Sequence, residues 1–174
     1  MDMYFTIKET MDMLLILEGL IICFILLVPC VVAIANGIHN AAFLFERDVQ
    51  DRVVGMGLVA REQLHKNKIR FKFYTLLVMV LFVIWAVYGI NGARGFWNPF
   101  WQIYVLAMAE GLFDRFFIDT YWVGHTRAWT IPGTEDLKPY IPRKTLIVKW
   151  AVVIVGNPLI AAVIAGIMFP ILGR

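Results

Sequence analysis

The apolar residues of this chain are gathered into long runs and do not recur at every second or every third to fourth position. A soluble amphipathic helix or a half-buried strand would alternate apolar with polar; a helix surrounded by hydrocarbon need not. The first run lies between about residues 12 and 45 and contains LLILEGLIICFILLVPCVVAIA. At roughly 1.5 Å per residue it is long enough to cross a hydrocarbon layer about 30 Å thick. Pro29 sits inside it and is expected to bend it, because proline removes a backbone donor and crowds the preceding turn. The second run, 74–90, carries Trp85 and Tyr88 toward its end, where aromatic rings favour the membrane interface. Gly92, Gly95 and Pro99 then predict a tight reversal, with Pro99 at the start of a returning helix. The third run, 100–123, is aromatic and apolar but interrupted by Glu110, Asp114, Arg115 and Asp119, which makes it the weakest span by hydropathy. The fourth, 146–172, is rich in Val, Ile, Ala and Gly, with Asn157-Pro158 as an expected kink.

The segments between the runs have a different character. Residues 46–73 are highly charged, yet Val49, Val53, Met56, Ala60 and Leu64 recur at steps of three and four, which predicts one amphipathic helix on the membrane surface or beneath the bundle. Residues 124–145 contain Pro132, Gly133, Pro139 and Pro142 and read as an ordered loop anchored by Trp129 and Tyr140. The expected fold class is therefore an all-α membrane protein, one polytopic domain over 1–174, with four transmembrane helices and an amphipathic helix between the first and second.

Charge adds an orientation. Arg47, Arg52, Arg61, Lys66, Lys68, Arg70 and Lys72 lie between runs one and two, and Arg127, Lys138, Arg143, Lys144 and Lys149 follow run three. The opposite side holds only Lys8, Arg94 and Arg174. Basic loops are retained in the cytoplasm during insertion, so both long loops are expected there and both termini on the far side of the cell membrane. An arrangement lacking the third span would put the two basic loops on opposite sides, which argues for keeping it. Ala33-Ile34-Ala35 has the look of a cleavage site, but Asp2, Glu9 and Asp12 against Lys8 give a leader of the wrong charge.

Composition agrees with the pattern: 60% of the 174 residues are hydrophobic, above the roughly half usual for soluble chains. The net charge of +3 is spread between apolar runs and forms no nucleic-acid patch, so lipids, further copies or a partner membrane subunit are the expected partners. Cys23 and Cys30 both fall within run one and read as small hydrophobes. No Gly-rich phosphate loop, nucleophile elbow, dinucleotide fingerprint or paired-cysteine metal motif is present, which leaves any cofactor unknown.

Candidate chemistry concentrates in the third run. Glu110 lies about 16 Å along a helix that begins at Pro99, near mid-membrane, and Asp114 follows one turn later. Two carboxylates at that depth would repel unless they shared a proton or a cation, so Glu110, Asp114 and Glu18 of run one form the expected proton- or cation-binding set. Arg115 and Asp119, four apart, should pair. His39, Asp119 and His125 fall at one level and constitute a candidate metal or general-base group. Arg127 and Trp129 are candidates for a lipid head group. Three functions compete: a proton- or cation-coupled transporter or subunit, an assembly protein whose buried charges fix helix pairing, and a membrane enzyme acting on a lipid or quinone.

Overall fold

The computed structural model describes residues 2–172, with side chains from residue 9 onward; Lys8 and Arg174, two of the three basic residues on the sparse side, therefore have no described side chain. Every regular element among the described residues is helical. Helix α1 (Asp2–Ala35) passes through Pro29, and α2 (Arg47–Gly55) is short. Helix α3 (Arg61–Ile84) continues as a π turn over Trp85–Ile90, and α4 (Trp97–Phe113) as a π segment over Asp114–Val123. Helices α5 (Arg143–Ala151) and α6 (Asn157–Leu172) are joined by a π turn, Val152–Gly156, into one continuous rod.

Three of these rods are long and apolar enough to cross a membrane: Glu9–Ala35, Arg61–Ile90 and Arg143–Leu172. Helix α4 falls outside that standard: Asn98 and Gln102 dilute its first half, and Glu110, Asp114, Arg115 and Asp119 fall within ten consecutive positions after it. It nevertheless runs alongside the others. At one end of the bundle Gln102 of α4 meets Asn91 after α3, which in turn meets Glu18 of α1. At the other end Asp119 meets Lys149 of α5. Helices α1 and α4 are parallel, with Gly19 and Cys23 both against Ala109. Helix α6 comes up antiparallel on the other flank of α4.

The α4–α6 contact is built from small side chains. Asn157, Ala161 and Ala165, spaced by four, are buried on one face of α6, and the alanines pack in one cluster with Ile103 and Leu106 of α4. Gly111 completes the seam: a Cβ there would stand 3.0 Å from Asn157 Nδ2 and from both methyls of Val153. Without a hydrophobic driving force between apolar helices, such close backbone approach is what gives dispersion its leverage. Just before this seam Pro158 has no N–H to offer the preceding turn, and the backbone takes up the wider π spacing there.

Two boundaries depart from expectation, and glycine is the reason in both. The first span ends at Ala35 and not at residue 45, because Gly37 adopts φ +92°, a left-handed conformation, and Ile38–Leu44 follows as a tight 3-10 turn. The single amphipathic helix expected over 46–73 is two helices. Gly57 at φ +70° closes α2 with paired bonds, Gly57 N–H to Val54 O and Leu58 N–H to Val53 O, the Schellman arrangement. The chain restarts at Arg61, and its charged part is the first portion of α3. Val49, Val53 and Leu64 are buried as the periodicity requires, whereas Met56 and Ala60 are exposed at the break.

The loop after α4 folds onto α2. Trp129, Ile131 and Tyr140 join Phe45, Val49 and Val53 in one apolar cluster. The Tyr140 hydroxyl accepts from Ile131 N–H at 3.2 Å and shares a 2.7 Å bond with Thr134 Oγ1, which fixes the turn from inside. Arg52 donates to Gly133 O and to both oxygens of Asp136 from outside. The two basic connecting segments are therefore packed against each other at one end of the bundle.

Candidate functional site

The charges of α4 turn toward the neighbouring helices. Asp119 and Arg115 are both buried and form an i,i+4 ion pair, as their spacing suggested. Asp119 also accepts from Lys149 Nζ on α5 at 2.9 and 3.0 Å, one bond to each carboxylate oxygen. Asp114 is engaged by the Arg115 guanidinium, so it turns to a cation and not to Glu110. All three α4 residues lie in the π segment, whose wider turn commonly marks functional positions. The sequence reading placed Lys149 among loop charges; its partner here is a residue thirty positions earlier, and only packing could join them.

Glu110 stands apart from this chain of pairs. It is half-buried at the level where α1 and α4 touch, next to Ala109, whose carbonyl faces the Cys23 thiol at 3.7 Å. Its carboxyl has no hydrogen bond and no ion pair among the described residues. On the following residue the backbone presses against Asn157, whose Nδ2 donates to Ala107 O at 2.8 Å. Taken together, Glu110, Asp114 and Asp119 oppose Arg115 and Lys149: three carboxylates against two cations. The group has room for one more positive charge.

Glu18 belongs to a second polar layer at the other end. It is 2% exposed, and its Oε2 accepts from Asn91 Nδ2 at 3.0 Å. Asn91 also donates to Gln102 Oε1 at 2.8 Å, and Gln102 donates to Asn98 Oδ1 at 2.9 Å. Glu18 Oε1, Asn91 Oδ1 and the Tyr88 hydroxyl are buried without a hydrogen-bond partner. The side chains that bond in this layer are neutral amides, and among the described residues Glu18 has no hydrogen bond or ion pair with the charged group of α4. Asn91 and Gln102 were not singled out from sequence; amides inside or beside an apolar run were the available signal.

The metal candidates do not converge. Among the described residues no three His, Cys, Asp or Glu side chains come together as a metal site. His39 lies under Gly37 and receives the Asn40 amide at 3.3 Å. His125 is exposed and donates from Nδ1 to Thr120 O at 2.7 Å. Asp119 is already committed to two cations. The helix break at Gly37, which ends α1 ten residues early, places His39 on a turn facing α3 and not beside α4.

The head-group pair also divides. Arg127 is exposed, but Trp129 is 1% exposed, edge-on to Trp122 at 5.2 Å and to Phe45 at 6.1 Å. Trp129 is a core residue of the folded loop and cannot meet a lipid. With the geometry in place, comparison adds no identity: no family model, no curated protein and no solved structure matches the chain.

Proposed function

We propose that the chain is a proton- or cation-coupled transporter or a subunit of one, with Glu110 as the residue that takes up the charge. The observation that carries this reading is the unequal charge set on α4 and α5. Its two cations are held by Asp114 and Asp119, and the surplus carboxylate, Glu110, lies in the field of Arg115 but has no hydrogen bond or ion pair of its own among the described residues. A bound proton or cation would balance the group, and releasing it would restore the imbalance, which is the minimum a coupling site needs.

The reading takes α4 as a fourth span. Its polar side chains Gln102, Arg115 and Asp119 are buried while Trp97, Trp101, Leu112 and Phe116 are exposed, the distribution expected of a helix with lipid on one side and protein on the other. The two basic segments pack together at one end, so the positive-inside rule assigns that end to the cytoplasm and both termini to the opposite side. Four helices leave little room for a complete pathway, and a second copy or a partner subunit completes it.

Vesicles containing the purified protein and the dye pyranine test the proton arm under an imposed potassium diffusion potential, and radioactive sodium uptake tests the cation arm. Wild type should conduct in one of the two assays, and Glu110→Gln should abolish that flux while retaining the wild-type fold. Unchanged flux in Glu110→Gln, or no flux of either ion through wild type, overturns the proposal.

A second reading has its own support. Asp119 joins α4 to α5 through Lys149, so the charges also suit an assembly protein in which they specify helix pairing. The same vesicles separate the two, since an assembly role leaves no flux to lose.

A further inference from the structure

A second site lies on the flank of the bundle between α1 and α3, away from the charges of α4. A cavity of about 530 Å³ opens between the end of α1, the 3-10 turn and the charged part of α3. A second, of about 470 Å³, lies between the apolar parts of the same two helices. Pro29, Val32, Tyr74 and Thr75 line both, so the two form one continuous groove. Its lower limb is closed by Ile25, Val28 and Val78, and beyond Tyr74 and Thr75 at its junction with the upper limb its lining is apolar. Its upper limb adds Asn36, Asn40, Gln63, Asn67 and Arg70.

Both walls change character at the same height. On α1 the apolar run stops at Ala35, immediately before Asn36; on α3 the last charged residue is Lys72, and apolar side chains dominate from Phe73 to Ile90. For two rods long and apolar enough to cross a membrane, that height is the level of lipid phosphates. The polar wall is preformed: Asn67 Nδ2 donates to Asn40 O at 3.2 Å, Gln63 Nε2 to Asn67 Oδ1 at 2.8 Å, and Phe71 packs edge-on to Phe43 at 5.5 Å. Arg70 is different. It lines the groove, and its guanidinium has no ion pair and no hydrogen bond among the described residues. An unpaired arginine at the mouth of an apolar channel offers paired donors to an anion whose remainder is hydrocarbon.

We infer that this groove binds an anionic phospholipid, its phosphate on Arg70 and one acyl chain in the limb between Val28 and Val78. Lys66 and Lys68, which line an adjacent cavity with His65, raise the positive potential around the mouth and favour an anionic lipid over a zwitterionic one. This site is independent of the charge set proposed for coupling.

Native mass spectrometry of the full chain in detergent, titrated with phosphatidylglycerol or phosphatidylcholine, tests the assignment. Wild type should retain one phosphatidylglycerol in preference to phosphatidylcholine, and millimolar inorganic phosphate should not displace it. Arg70→Gln should weaken retention roughly fivefold, the effect of one basic residue at a membrane surface. Thr75→Trp, which leaves Arg70 intact and fills the apolar limb, should weaken it as well. Lys72→Gln, on the same helix but not part of the groove lining, should not. Equal retention by wild type, Arg70→Gln and Thr75→Trp overturns the site. Equal loss in Lys72→Gln and Arg70→Gln also overturns it, in favour of diffuse surface charge, and displacement by inorganic phosphate overturns it in favour of a bare anion site.

Discussion

The bundle has two buried polar layers, and they solve the same problem in different ways. Near the basic end, Asp114, Arg115, Asp119 and Lys149 answer charge with charge. Near the hairpin end, Glu18 is met by amides alone, Asn91 and behind it Gln102 and Asn98. An ion pair taken out of water is tolerable only while both partners stay, because losing one strands the other in a medium that cannot solvate it. A carboxyl held by an amide depends less on its neighbour: the amide is neutral, and what is lost with the acid is one hydrogen bond. The charged layer should therefore be brittle and the amide layer forgiving, although Lys149 and Asp114 of the charged layer keep part of their surface and Glu18 keeps almost none.

Removing Asp119 is the sharpest way to break that contrast. Asp119→Ala leaves Arg115 with Asp114 alone and Lys149 with no partner, and should destabilise the protein by about 3–5 kcal/mol. Combining it with Lys149→Met should recover part of the loss, measurable as melting temperature in detergent. If the double variant is no more stable than the single, the pair is not what holds α4 to α5. Glu18→Ala is next in size. It unpairs one amide donor of Asn91, which retains Gln102, and should cost about 1–3 kcal/mol in the same assay. A loss equal to that of Asp119→Ala would erase the distinction between the layers.

The smallest effect belongs to the exposed pair that ties the loop after α4 to α2. Hydrogen bonds from Arg52 hold the Asp136 carboxyl below its ordinary value of 3.8. A depressed carboxylate contributes stability above its unfolded value and loses it as pH falls through the folded one. Asp136→Asn should therefore melt slightly below wild type at neutral pH and match it in acid below that range. Both groups are solvated and the shift should be close to the limit of detection. A difference that persists unchanged into acid would mean that the variant acts through the loop's packing and not through charge.

Much of this was legible in the order of residues. The three apolar rods were evident because a run of hydrocarbon side chains needs no partner to declare itself, and the reversal was evident because Gly92, Gly95 and Pro99 fall together between two apolar runs; both glycines indeed sit at positive φ. The i,i+4 pair Arg115–Asp119 was legible for the same local reason. The fate of Gly37 and Gly57 was harder to read: glycine permits a left-handed turn without demanding one, and what fixes it here is the packing of the 3-10 turn on α3 and of α2 under the later loop. Trp129 admitted two readings, loop anchor and head-group contact, because an aromatic residue near a membrane boundary looks alike whether it faces lipid or core; packing made it the anchor.

What the sequence determined by itself is whatever depends on neighbours along the chain: which stretches are apolar, where the backbone can reverse, and that α4 carries more charge than a solitary membrane helix tolerates. What only the tertiary structure decided is which charges meet. Lys149 reaching Asp119, Asn91 reaching Glu18, Asn157 reaching Ala107 O and Arg70 reaching nothing are outcomes of how rods stack. A hydrogen bond or ion pair falls off within a few ångströms, so its partner is set by the closest approach of helices whose sequences lie far apart. The carboxyl left over from that pairing, Glu110, is visible only once the other charges of α4 and its π segment have found their partners.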